Sequence, residues 1–144
     1  MASVQDAAAP IAYLPGVPAE SPLDRVRELC LSLPETSERL SHGQPSFFIR
    51  EKKTFVMYLD NHHDDGRLAL WLAAPEGMQE ALVEAAPEHY FRPPYVGHRG
   101  WLGVRLDRAL EWDEIAGAIE DAYLTVAPRS LIEAAGLDDD GGGR

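Results

Sequence analysis

TFVMYLDNHHDDGRLALWLA, residues 54–73, decides the fold class. In its first half Phe55, Met57 and Leu59 alternate with Val56 and Tyr58. In its second half Leu68, Leu70 and Leu72 alternate with Ala69, Trp71 and Ala73. Alternation with a period of two marks strands, and the polar turn over 61–66 joins them as a hairpin. A hairpin this short makes neighbouring strands antiparallel.

The pattern extends outward in both directions. Upstream, residues 46–50 read as a strand, with Glu51-Lys52-Lys53 as a polar turn into the next. Downstream, a helix runs from Pro75 through Ala86 with Met78, Ala81, Leu82 and Ala85 as its apolar stripe. Residues 90–107, YFRPPYVGHRGWLGVRLD, read as a second hairpin turning at Gly97-His98-Arg99-Gly100. Trp112-Asp113 opens a helix that aligns Ile115, Ile119, Tyr123 and Val126 before Pro128 breaks it, and residues 129–135 add a short helical turn. At the other end, Ser21-Pro22-Leu23-Asp24 is a helix start: a capping serine, proline at the first helical position and an acid three residues on. Leu23, Val26, Leu29, Cys30 and Leu33 share one face of that helix, and Pro34 ends it. The order α-β-β-β-α-β-β-α predicts a two-layer α+β sandwich, an antiparallel sheet with helices on one face.

With 144 residues, 45% of them hydrophobic and 26% charged, the chain is expected to form one domain with a core of its own. Its expected limits are 21–132. Residues 1–20, with Pro10, Pro15 and Pro18, are expected to be mobile, and the acidic, glycine-rich tail over 133–144 to be disordered. No apolar run approaches the roughly 20 residues that span a bilayer. No secretory signal is expected, because no charged region leads into an apolar core at the N-terminus. Cys30 is the single cysteine, which excludes an intrachain disulfide and a cysteine-rich zinc site. A cytoplasmic location is the default.

The net charge is −11, and it is unevenly placed. Residues 39–108 carry nine basic and nine acidic side chains, while the flanking segments hold the excess of acid. Residues 90–107 contain no acid before Asp107. A basic, aromatic hairpin on an acidic chain marks a surface that binds something.

Alternation assigns that surface. If Leu102, Val104 and Leu106 meet the helices, Trp101, Gly103 and Arg105 point away. Val56 and Tyr58, and Ala69 and Trp71, are expected on the same open side. Aromatic rings with arginine on an open sheet can stack nucleobases. The same composition marks protein interfaces, and packing beneath another segment or a second copy is the commoner fate of such rings.

Other clusters carry less chemistry. His62-His63-Asp64-Asp65 lines up ligand-type side chains, but adjacent turn residues rarely converge on one ion. A solvated turn is the expectation, with no metal and no cofactor. Ser41-His42 has the residue types of a nucleophile and base, but neighbours seldom face each other and no orienting acid is evident.

The ordered landmarks resemble the MmcQ/YjbR family of small bacterial proteins, over residues 23–131. They are Leu33-Pro34-Glu35, Gly43-Gln44-Pro45-Ser46-Phe47, Trp101, and Asp121-Ala122-Tyr123 followed by Val126 and Pro128. The resemblance implies an α-β3-α-β2-α two-layer fold, similar to secretion-chaperone-like domains. Members are commonly labelled DNA-binding, with paired hairpins acting as wings. Family hairpins often place Asn, Lys and His before the tryptophan; here Val96-Gly97-His98-Arg99-Gly100 stands there. The family brings no catalytic residues to carry over.

The expected function is therefore a non-enzymatic binding module. As a nucleic-acid module it uses Lys52, Lys53, Arg92, His98, Arg99 and Arg105, with Tyr95 or Trp101 stacking or wedging. As an interaction or homodimerising module it buries Tyr58, Trp71 and Trp101 against a protein.

Overall fold

A computed structural model describes residues 21–108 and 111–137. The expected mobile segment 1–20 and the end of the tail, 138–144, lie outside the described residues. The packed chain runs past 132, because a helix continues to Ala134 and Leu137 packs against the core.

Helix α1 (Pro22–Leu31) starts as its sequence dictates: Ser21 Oγ accepts a hydrogen bond from the Asp24 N–H at 3.0 Å. It buries Val26 and Cys30. Four strands follow: β1 (Thr36–Ser41), β2 (Gln44–Ile49), β3 (Lys53–Asp60) and β4 (Leu68–Leu72). Helix α2 (Met78–Ala85) leads to β5 (Tyr90–Phe91) and β6 (Leu102–Arg105), and then come α3 (Trp112–Val126) and α4 (Arg129–Ala134). Among the described residues the strands form one antiparallel sheet in the order β1-β2-β3-β4-β6-β5.

The α+β class and the antiparallel sheet are as expected, with one strand more than the expected order. Strand β1, TSERLS, is polar and lies at the sheet edge, so it carries no alternating apolar pattern to detect. Its hairpin to β2 closes through His42 and Gly43, both at positive φ (53° and 80°). That two-residue geometry follows the twist of the strands it joins.

The expected faces of β3 are inverted. Val56 pairs with Leu72 and Tyr58 with Leu70, while Met57 pairs with Trp71 and Leu59 with Ala69. Both faces of this strand are apolar, so alternation alone could not choose between them. A register shift between Phe47 and Phe48 also leaves Phe55 as the extra residue, and its ring meets Tyr123 of α3 edge-on at 5.7 Å. Val56, Leu70, Leu72, Leu102 and Val104 thus form the buried helix-side layer, with Ile115, Ile119, Ala122 and Tyr123 of α3. Tyr58 belongs to this layer, near Asp24 and Arg27 of α1, and is 9% exposed.

The second hairpin is shorter than expected. Only Tyr90↔Val104 and Phe91↔Gly103 pair. Pro93 and Pro94 have no N–H to continue the ladder, and the chain instead runs as a loop with one 3-10 turn, Gly97–Arg99. The stripe of α2 is also rotated: Ala81 and Ala85 are exposed, and Gln79, Leu82 and Val83 turn inward.

A candidate anion-binding cleft

The far face of the sheet is not an open aromatic platform. Trp71 is 3% and Trp101 5% exposed, because the 92–101 loop and the turn after β3 close over them. Between these covers lies a cleft of about 1060 Å³. Met57, Leu59, Trp71 and Trp101 line it from the sheet side, and Tyr95 and Val96 from the loop. Lys52 and Lys53 enter from the β2–β3 turn, Arg99 from the 3-10 turn, and His42 and His62 from the two other hairpin turns. None of the described residues that line it is Asp or Glu. In a chain of net charge −11 that exclusion concentrates positive potential at one concave place.

The expected site residues divide. Lys52, Lys53, Tyr95, Arg99, Trp71 and Trp101 come together in the cleft. Arg92, His98, Arg105 and Tyr58 do not line it. Arg105 is neutralised by Asp107, its Nε and Nη2 each donating to that carboxylate at 3.0 Å. Arg92 lies against Gly97 and donates to Gln79 at 3.4 Å, which makes it part of the loop's support. His98 points to solvent on the turn. Tyr58, Trp71 and Trp101 cannot form one exposed interface, since all three are buried and Tyr58 lies on the helix side.

The rings in the cleft are mutually braced. The Arg99 guanidinium sits 5.3 Å from the Trp101 ring centre. His62 meets Trp71 edge-on at 5.2 Å, and Tyr95 lies tilted over Trp71 at 6.4 Å. Tyr95 is 67% exposed and sits at φ 68°, a left-handed conformation that an aromatic residue adopts only when its surroundings hold it there. The Nε1 of Trp71 is buried and has no acceptor. An unmet buried donor of this kind costs about 1–3 kcal/mol.

Gln79 sets the loop's shape, and sequence patterns did not single it out. It is 3% exposed, and its Nε2 donates to the carbonyls of Gly97 (2.9 Å) and Trp101. The available signal was its place three residues before Leu82 and four before Val83, on one helical stripe. His62 was missed for a different reason: its neighbours His63, Asp64 and Asp65 read as a solvated turn.

Ser41 and His42 do meet, with Oγ 3.3 Å from Nδ1, because the left-handed turn at His42 brings its ring back beside Ser41. Both line the cleft, whose described lining residues include no carboxylate. Among the described residues no three His, Cys, Asp or Glu converge as metal ligands.

The family's model, described as YjbR, matches residues 31–125. The chain belongs to the YjbR family. Among solved structures, a Deinococcus radiodurans protein, DR2400, of the domain family DUF419, is similar to it. The two are 21% identical with a TM-score of 0.66, over 84% of this chain and 92% of that one. At that identity the likeness speaks for the fold alone. No match was found among curated proteins. In this YjbR chain some of the family landmarks meet and others line the cleft. Pro34 and Tyr123 meet in a hydrogen bond, Tyr123 Oη donating to the Pro34 carbonyl at 2.8 Å. Gln44 and Trp101 line the cleft.

Proposed function

We propose that the chain is a non-enzymatic nucleic-acid-binding module that holds a single strand, or a locally opened stretch of DNA, in this cleft. The observation that carries the reading is a cleft with Lys52, Lys53 and Arg99 at its rim, Trp71, Tyr95 and Trp101 in its walls, and no acid among its described lining residues. Cations track a phosphate backbone, and an exposed ring such as Tyr95 stacks a base with little regard to sequence, with the two buried tryptophans beneath it. A cleft of about 1060 Å³ has room for one or two unstacked nucleotides. The non-enzymatic reading is supported by the chemistry of the walls. With no carboxylate among the described lining residues, the Ser41–His42 contact lacks there the acid that orients a catalytic base. Among the described residues no helix is long and apolar enough to cross a membrane. We take the protein to act in the cytoplasm, where DNA is at hand.

A fluorescence titration with short single-stranded and duplex DNA, at low and moderate salt, tests the reading. Single strands are expected to bind more tightly than duplex. With three cleft cations, log K should fall against log salt with a slope of about −2. Lys52→Ala and Arg99→Ala should each weaken binding. Absence of binding at low salt overturns the reading, and binding unchanged by both substitutions places the surface elsewhere.

A further inference from the structure

We propose that Trp71 and Tyr95 form a reading site for one unpaired nucleobase, within the nucleic-acid reading above on which this rests. Three observations converge on the pair. Trp71 lines the cleft but is shut off from solvent, and its Nε1–H has no acceptor. Tyr95 covers it, tilted by 49° at 6.4 Å, and is itself 67% exposed. The backbone at Tyr95 is held at φ 68°, a strained state of the kind that gathers at binding sites.

A base supplies what this arrangement lacks. It is planar, so it can lie on the exposed face of Tyr95 or take the ring's place beside Trp71. It carries ring-nitrogen or carbonyl acceptors along its edge, and movement of Tyr95 would bring one of them to the indole N–H. Its phosphate carries the charge that Lys52, Lys53 and Arg99 are placed to meet. An aliphatic carboxylate has the charge without the plane, and an aliphatic peptide has carbonyl acceptors but neither the charge nor an aromatic plane. The shared chemistry is that of a nucleoside phosphate, whether free or part of a strand.

Calorimetric titration of the full chain tests the site with three probes: an oligothymidylate, an abasic oligonucleotide of the same length, and thymidine monophosphate. The oligothymidylate should bind about tenfold more tightly than the abasic strand, as one stacked base contributes. Tyr95→Ala should remove that difference, with the thermal melt as its control for folding because the ring packs on Trp71. Trp71→Phe, which keeps a ring and deletes the N–H, should reduce the difference, with the melt as its control for folding. If thymidine monophosphate binds as tightly as the strand, the base site stands and its source is the free nucleotide. Equal binding of the base-bearing and abasic strands overturns the base site and leaves the nucleic-acid reading intact. A base preference that survives Tyr95→Ala also overturns it. Binding of none of the probes overturns both.

Discussion

Gly103 carries no side chain because the ring of Phe91, its partner across the sheet, fills the space. A Cβ there would lie 2.4 Å from the tip of that ring, which is capped in turn by the Arg67 guanidinium at 4.0 Å. Gly103→Ala should therefore lower stability by about 1–3 kcal/mol in denaturant unfolding, as overpacking does. Asp107 gives a prediction about pH. Hydrogen bonds from Arg105 first, then from the Leu68 N–H, hold its carboxyl below the ordinary 3.8. A depressed carboxyl stabilises the fold above its unfolded value, and that contribution is lost as pH falls through the folded one. The wild type should thus lose more stability than Asp107→Asn on acidification below about pH 4. The pair is partly exposed, so the difference should be no more than about 1 kcal/mol. Burial pushes the Cys30 thiol well up, so it stays protonated and should react with a thiol reagent only after unfolding.

At the scale of elements, long-range hydrogen bonds do what sequence patterns cannot announce. Tyr123 ties α3 to the turn after α1 through the Pro34 carbonyl. Tyr123→Phe should cost about 1 kcal/mol, because that carbonyl loses its partner. Gln79 does the same for the cleft wall, so Gln79→Leu should weaken strand binding more than it shifts the melting temperature. The helix start at Ser21, the hairpin over 54–73 and α3 were legible because caps, turns and apolar periodicity are local signals. Strand β1 was not, since an edge strand of polar residues needs no alternation. The inverted faces of β3 were not legible either, because Phe55, Val56, Met57, Tyr58 and Leu59 leave neither side polar. Lys52, Lys53, Arg99, Tyr95 and the two cleft tryptophans are candidates that residue type alone points to. Their meeting in a concave cleft depends on the loop after Pro93-Pro94, which folds back over the sheet instead of extending a hairpin.

At the scale of the molecule, a strongly acidic protein presents a concavity whose described lining residues combine cations and aromatic rings without an acid. Repulsion from the acidic surface should make strand binding weak and salt-sensitive. The three tryptophans report on this directly, since Trp71 and Trp101 line the cleft and Trp112, on α3 beside Arg25, does not. The deciding measurement is the indole N–H signals in a ¹H–¹⁵N NMR titration with a short single strand at low salt. Trp71 and Trp101 should shift together while Trp112 stays in place. Shifts confined to Trp112, or binding that moves neither cleft indole, would contradict the cleft as the binding site.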